Sequence, residues 1–207
     1  MSNLLSNYDL DLLKKYDYII GIDEVGRGCL AGPLVVCGAI MSYENLIDEV
    51  NDSKKLSEKK REKILPLIKD NVLDYFVLEV NNDIVDEINI YQATKQAMQH
   101  VAKKLNRNNT LILTDAMPLN MDNNIDIIKG DATSYAIACA SIIAKVYRDH
   151  IMVELDQVYP EYGFAKHKGY GTKQHKEALI QYGYLDKIHR KSYEPIKSMI
   201  SKQMKLF

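Results

Sequence analysis

The strongest constraint on this chain is a carboxylate placed inside an apolar, strand-like run. Residues 18–25 read YIIGIDEV, with Ile19, Ile20 and Ile22 before Asp23 and Val25 beyond it. A charge there is costly to bury unless it is paired or bound to a metal. The pattern recurs. The apolar run Thr110–Thr114 ends at Asp115, and the run Ile125–Ile128 is followed by Gly130 and Asp131. Three strand-like segments thus each deliver a carboxylate near one end, and a sheet can gather such residues although they are far apart in sequence. Gathered carboxylates raise one another's pKa unless a cation neutralises them. An all-oxygen donor set favours a hard ion, Mg²⁺ or Mn²⁺, over zinc. Such ions, in pairs, stabilise both the attacking and the leaving oxygen of phosphodiester cleavage. A lone Asp in a strand is more simply a cap or a surface ion pair, but the set together is better explained by metal. Glu24 adjoins Asp23, yet neighbouring strand residues point to opposite faces. The two converge only if the strand loses regularity near Gly26 and Gly28.

The rest of the chain supplies a frame for these carboxylates. Tyr18–Val25 and Leu34–Met41 read as neighbouring strands joined across the glycine-rich stretch Gly26–Gly32. Ser57 is placed to cap a charged helix reaching about Lys69, and Val72–Val80 reads as a third strand. Asp83–Leu105 is helical in pattern, in one or two pieces, with Ile84, Ile88, Ala97, Val101 and Leu105 as inward candidates. A long helix from about Thr133 to Val158 carries Ala136, Ala138, Ala140, Ser141 and Ala144, small residues that let a helix lie close to a sheet. Close packing explains that face without any chemistry. Shorter helices follow around Lys173–Tyr182 and Pro195–Lys202. This order predicts a mixed α/β sheet with helices on its faces, residues 1–160 as the core and residues 161–207 as a basic helical segment of the same compact unit.

Charge is distributed unevenly. The net charge is −1, but residues 161–207 hold ten Lys/Arg against four Asp/Glu, a local excess of +6 that leaves −7 on residues 1–160. An acidic centre with a basic, aromatic segment fits a metal site that works on a polyanion, although solvated charged faces produce the same asymmetry. Cys29, Cys37 and Cys139 form no metal-binding spacing and read as buried reduced thiols. Met1–Lys15 lacks the basic start and continuous apolar core of a signal peptide, and no apolar run approaches the roughly 20 residues of a bilayer span. A cytoplasmic protein is expected, with a monomer as the default.

With these segments in view, the chain resembles bacterial ribonuclease HII from about Tyr18 to Lys197. Six ordered motifs carry the resemblance: Gly21–Gly28 (GIDEVGRG), Asp52–Ser57 (DSKKLS), Lys129–Asp131 (KGD), Ala140–Val146 (ASIIAKV), Arg148–Asp149, and Gly163–Tyr170 (GFAKHKGY). The resemblance implies a ribonuclease H-like fold, four metal-binding catalytic carboxylates at Asp23, Glu24, Asp115 and Asp131, and a two-metal mechanism. It implies cleavage of the RNA strand of RNA–DNA hybrids and incision 5′ to a ribonucleotide embedded in duplex DNA, leaving 3′-hydroxyl and 5′-phosphate ends.

The same resemblance assigns substrate contacts. The family's Gly-Arg-Gly element falls on Gly26, Arg27 and Gly28, where glycine lets the backbone approach a strand and meet the 2′-hydroxyl. A plain tight turn would explain the glycines but not the arginine between them. Lys54 and Lys55 fall near the cut phosphate, and Lys166, His167 and Lys168 fall along the same strand. Tyr170 matches the tyrosine that senses the RNA–DNA junction. Gly171 and Cys29 stand where the family commonly has proline, which loosens the local backbone but removes no reacting group. Arg148 and Asp149 have no assigned contact: Asp149 offers a further metal ligand, but an ion pair or cap holding the helix end is the better reading, and it is left out of the site. The terminal Gln203-Met-Lys-Leu-Phe207 is similar to the peptide by which bacterial repair proteins bind the sliding clamp, with Gln203, Leu206 and Phe207 as anchors. Packing of Leu206 and Phe207 on their own domain is an equal alternative.

Three rivals differ from this reading in residues. The sibling ribonuclease HIII family lacks the Gly-Arg-Gly element and adds an N-terminal domain, whereas this chain has Arg27 and a short leader. A non-catalytic nucleic-acid-binding relative would be expected to lack a carboxylate, and all four are present. A small-molecule phosphatase leaves the basic segment after Pro160 without a purpose.

Overall fold

In the computed structural model, residues 3–204 are described, with side chains described as far as Ser201. The elements follow in the order α1 (Leu4–Leu12), β1 (Tyr18–Val25), β2 (Leu34–Met41), α2 (Glu58–Asn71), β3 (Val72–Val80), α3 (Asn82–Ile88), α4 (Ile90–Leu105), β4 (Thr110–Asp115), β5 (Asn124–Ile127), α5 (Tyr135–Val158), α6 (Phe164–His167), α7 (Lys173–Tyr182) and α8 (Ile196–Met204). One five-stranded sheet has the order β3-β2-β1-β4-β5. β1 is antiparallel to β2 and parallel to β4, and β4 is parallel to β5. This is the mixed sheet flanked by helices that the sequence predicts. None of the described helices is long and apolar enough to cross a membrane.

The sheet orders the carboxylates directly. β1 is central and β2 is buried along its whole length, so their continuous apolar runs are those of strands covered on both faces. Because β1, β4 and β5 run in the same direction, their C-terminal ends lie at one edge of the sheet, where Asp23, Asp115 and the turn holding Asp131 fall. β3, at the sheet margin, is mostly exposed or half-buried and keeps Leu73 and Tyr75 on the surface.

The alanine-rich face of α5 meets β1 at Gly21. A Cβ on Gly21 would lie 2.2 Å from the Ala136 carbonyl carbon and 2.3 Å from the Ile137 nitrogen, so backbone touches backbone there. Gly38 of β2 instead makes room for side chains of α4, since an added Cβ would meet Val101 Cγ1 at 2.5 Å and Leu105 Cδ1 at 2.8 Å.

The predicted helix over Asp83–Leu105 breaks at Asn89, which has φ 65°. Ala97, Val101 and Leu105 are buried as expected, whereas Ile84 is 41% exposed and Val85 is buried instead. The break gives the short α3 its own helical phase, set by the Asn81 cap, whose side chain accepts from Ile84 N. The leader before β1 is helical. It forms α1, which is packed through the polar Ser6 and Asp9. Asp9 Oδ2 accepts from Ala136 N at 2.8 Å and from Tyr43 Oη at 2.8 Å, which caps the first turn of α5.

The chain divides into two compact units: Met1–Val25, Val35–Leu78 and Thr94–Val146 in the first, and Gly26–Leu34, Glu79–Ala93 and Tyr147–Phe207 in the second. The first holds most of the sheet. The second has its own core, built on Leu30, Met152, Tyr162, Phe164, Leu179 and Ile196.

The contact at Gly21 generates a test. Gly21→Ala should cost at least about 1–3 kcal/mol through overpacking against backbone that cannot rotate away. The readout is the midpoint of urea unfolding; an unchanged midpoint would show that α5 is not pressed onto β1 as described.

Candidate functional site

The first unit gathers three of the four expected carboxylates. Asp23, Asp115 and Asp131 each offer one oxygen, and these atoms lie within 4.8 Å of one another. Asp23 and Asp131 are 3% and 2% exposed, and Asp115 is half-buried. Each carboxylate is aimed by a specific neighbour. Asp23 Oδ1 accepts from Glu24 N at 2.7 Å, and the Ser141 hydroxyl also hydrogen-bonds to Asp23. Asp115 Oδ1 accepts from Gly130 N at 2.7 Å. Asp131 sits in a single 3-10 turn, Gly130–Ala132, which follows Lys129 in the left-handed region. Glu24 is half-buried and is not one of the three residues that meet this distance among the described residues, but its charge acts on Asp23.

The electrostatics of the cluster are unfavourable without a cation. Burial pushes the Asp23 carboxyl well above its ordinary range, and the charges on Glu24 and Asp115 add to it. Asp131 is also raised, by burial first and then by Asp115 and Asp52, against the lowering effect of Lys54. Lys54 Nζ donates to Asp131 Oδ2 at 3.0 Å. Burial opposes the charge on Lys54, but Asp131, Asp23 and Asp115 outweigh it and hold the ammonium above its usual range. One ammonium does not balance three clustered carboxylates. The donor set therefore fits a hard divalent cation held by Asp23, Asp115 and Asp131.

The turn that carries Lys54 is built for that reach. Asp52 caps it through Lys54 N, and Arg61 Nη1 donates to the carbonyls of Ser53 and Leu56. Ser53 Oγ and Ser141 Oγ share a hydrogen bond of 2.8 Å. Ser141 thus belongs both to the close-packed helix face and to the support of Asp23, a second role that its place among alanines conceals. Lys55 is exposed and lies 4.0 Å from Asp52.

The second unit holds the remaining expected contacts. Gly26 has φ +98°, Arg27 is half-buried and Gly28 is exposed. The two glycines differ in kind. A Cβ on Gly26 would lie 2.4 Å from Arg148 Nε, whereas one on Gly28 would meet nothing within 4 Å. Gly26 is therefore required by packing inside the protein, and Gly28 is the position with open space beside it. Lys166 is exposed, and Tyr170 is 42% exposed and bridged to Cys29. Lys168 is buried in the left-handed region, and its carbonyl accepts from Arg148 Nη1. Gly171, in place of the common proline, packs with its Cα hydrogen side toward Leu30, 3.1 Å from an added Cβ. The side chain of Gln203, together with Leu206 and Phe207, lies outside the described residues.

His167 departs from the expected phosphate contact. Its Nε2 bonds the Tyr162 carbonyl at 2.8 Å and its Nδ1 accepts from Gly169 N at 3.2 Å, so both nitrogens serve the protein itself. The ring stacks on His175 with centroids 4.4 Å apart. His175 and His189 continue the network. Leu185 N donates to His189 Nδ1, which places the His189 proton on Nε2, 3.0 Å from His175 Nε2. That leaves the His175 proton on Nδ1, 3.0 Å from the Tyr170 carbonyl. Both rings are neutral in this arrangement, and burial pushes His175 and His189 down to about 4.

Comparison with known proteins agrees with the geometry. The family described as ribonuclease HII matches residues 20–196. A ribonuclease HII of Bacillus mycoides (strain KBAB4) is 50% identical over 200 residues, covering 96% of this chain and 77% of the relative. Among solved structures, ribonuclease H2 of Pyrococcus horikoshii OT3 is 28% identical with a TM-score of 0.76, covering 91% of this chain and 99% of its own. The ribonuclease HII of Archaeoglobus fulgidus, solved in complex with PCNA, is 26% identical with a TM-score of 0.71, covering 84% and 92%.

The histidine pair generates a pH prediction. Both groups have folded pKa values near 4, below the ordinary 6.5, so the unfolded chain binds more protons between those values. Their stabilisation is complete above pH 6.5 and is lost as pH falls toward 4, by on the order of a few kcal/mol. Comparing wild type with His189→Gln by urea unfolding at pH 7.5 and pH 5 checks this. The variant should show a shallower acid dependence; an identical dependence would remove the pair as its source.

Proposed function

The chain belongs to the ribonuclease HII family, and from that premise we propose that it hydrolyses the RNA strand of RNA–DNA hybrids and incises duplex DNA 5′ to an embedded ribonucleotide, leaving 3′-hydroxyl and 5′-phosphate ends. The observation that carries the reading is the convergence of Asp23, Asp115 and Asp131 within 4.8 Å at the ends of parallel strands. These residues, with Glu24 as the fourth carboxylate, would hold Mg²⁺ or Mn²⁺, two ions during the reaction. Bound there, the ions supply Lewis-acid stabilisation to the attacking and leaving oxygens.

The protein's own groups do the positioning. Ser141, Glu24 N and Gly130 N fix the carboxylate oxygens before substrate arrives. Lys54 and Lys55 contribute positive charge toward the phosphates, a contact that places the duplex without reading sequence. The exposed Gly28 lets backbone come close to the ribose and meet its 2′-hydroxyl. Lys166 follows the same strand, and the exposed Tyr170 ring stacks at the RNA–DNA junction.

The C terminus carries a separable reading. We propose that Gln203, Leu206 and Phe207 dock on a sliding clamp; the support is their residue pattern and the PCNA complex of the Archaeoglobus relative. Deleting residues 203–207 should abolish clamp binding in a pull-down with purified clamp and leave cleavage of short duplexes intact. Undiminished clamp binding would contradict it.

For the activity itself, a duplex with one ribonucleotide should be cut on its 5′ side in Mg²⁺ or Mn²⁺. Asp115→Asn and Asp131→Asn should each slow the cut more than about 100-fold. Cleavage that survives EDTA would overturn the metal mechanism.

A further inference from the structure

Two arginines of the second unit, Arg148 and Arg190, have no solvent exposure, which is unusual for so large a charged side chain. Each guanidinium donates to two backbone carbonyls of the loop Arg27–Pro33 and also to a group outside it. Arg148 donates from Nε to Pro33 O at 2.9 Å, from Nη2 to Ala31 O at 3.0 Å and from Nη1 to Lys168 O at 2.8 Å. Arg190 donates from Nη1 to Arg27 O at 2.8 Å, from Nη2 to Gly32 O at 3.2 Å and from Nε to Asn82 Oδ1 at 3.2 Å. The Tyr193 hydroxyl adds a second donor to Arg27 O at 2.8 Å, and Arg190 lies 5.2 Å from the centre of that ring. The backbone of Arg190 completes the set by donating to Leu30 O at 2.9 Å.

The carbonyls of Arg27 and of residues 30–33 are therefore all turned inward onto these two residues and Tyr193. The loop is shaped around the arginines. Gly26 and Gly32 have positive φ, and Cβ atoms there would strike Arg148 Nε and Met152 Sδ. The same loop is tied to the tyrosine segment, because Leu30 N and Ala31 N both donate to Gly169 O and Cys29 bridges Tyr170. Of the three glycines in this loop, Gly26, Gly28 and Gly32, only Gly28 has open space where a Cβ would lie.

We propose that Arg148 and Arg190 are positioning residues for ribose discrimination, holding the Arg27–Pro33 backbone in one conformation so that Gly28 is presented rigidly to the ribose. The proposal rests on the reading that Gly26–Gly28 meets the 2′-hydroxyl. A lysine keeps the charge but cannot reproduce the three-point fork, so the loop would be released while its net charge stays the same. Affinity for plain duplex DNA comes mainly from phosphate contacts and should not respond.

The test measures binding in Mg²⁺ with catalysis silenced by Asp115→Asn. The ligands are a duplex with one ribonucleotide and its all-DNA counterpart, and thermal midpoints establish that each variant is folded. The Asp115→Asn reference should prefer the ribonucleotide duplex. Added Gly28→Ala, Arg190→Lys or Arg148→Lys should reduce that preference about tenfold, and in the two arginine variants all-DNA affinity should stay unchanged within about twofold. Tyr193→Phe removes one donor to Arg27 O without the buried charge, and should reduce the preference about threefold even if the arginine variants fail to fold. If the reference has no preference, or Gly28→Ala keeps it, the reading of the Gly26–Gly28 segment fails and the proposal fails with it. If Gly28→Ala loses the preference while Tyr193→Phe and every folded arginine variant retain it, the proposal alone is overturned.

Discussion

Three carboxylate oxygens within 4.8 Å of one another, two of them on nearly inaccessible residues, are an arrangement that repels itself. Its neighbours in the first unit are explicable as responses to that repulsion. Parallel pairing of β1, β4 and β5 brings the charges to one edge. The Gly130 and Glu24 amides and the Ser141 hydroxyl donate to the carboxylates, and the Lys54 ammonium supplies partial neutralisation. Even so, burial and mutual repulsion leave Asp23 and Asp131 raised. Close approach of α5 at Gly21 is part of the same design, since it sets Ser141 beside Asp23 and Ser53. Such a carboxylate set fits a cation of higher charge than lysine provides.

The second unit answers a different demand with similar means. Its loop Gly26–Leu34 has irregular backbone, whose polar groups need partners when water is excluded. Arg148, Arg190 and Tyr193 provide donors for the carbonyls, and the histidine network supports the neighbouring Tyr170 carbonyl. The rings of Tyr162 and Phe164 stack 5.3 Å apart and pack against His189 and His175, so the polar network lies within an aromatic core.

Much of this was legible in sequence, for physical reasons. Strands buried on both faces write continuous apolar runs, so β1 and β2 were readable to the residue, and an Asp inside such a run marked the site. The small residues of α5 announced close packing. What stayed hidden depended on partners far along the chain. The buried face of α1 is Ser6 and Asp9, which a hydrophobic pattern scores as solvent-facing, and Asp9 is buried because it caps α5. His167 lies between two lysines and read as a phosphate contact, but its ring is claimed by Tyr162, Gly169 and His175. Gly26 and Gly28 are alike in sequence and differ in the fold because Arg148, far along the chain, packs against the first. Arg148 itself has no contact assigned from sequence, and its guanidinium gathers the carbonyls of Ala31, Pro33 and Lys168.

The central claim is that the Asp23, Asp115 and Asp131 cluster exists to hold divalent metal. Calorimetric titration of Mn²⁺ into the intact protein tests it most directly, with Asp131→Asn, checked to be folded, as the comparison. Saturable binding that weakens at least about tenfold in the variant is the predicted result. No binding to the wild-type chain, or equal affinity in both proteins, would contradict the account.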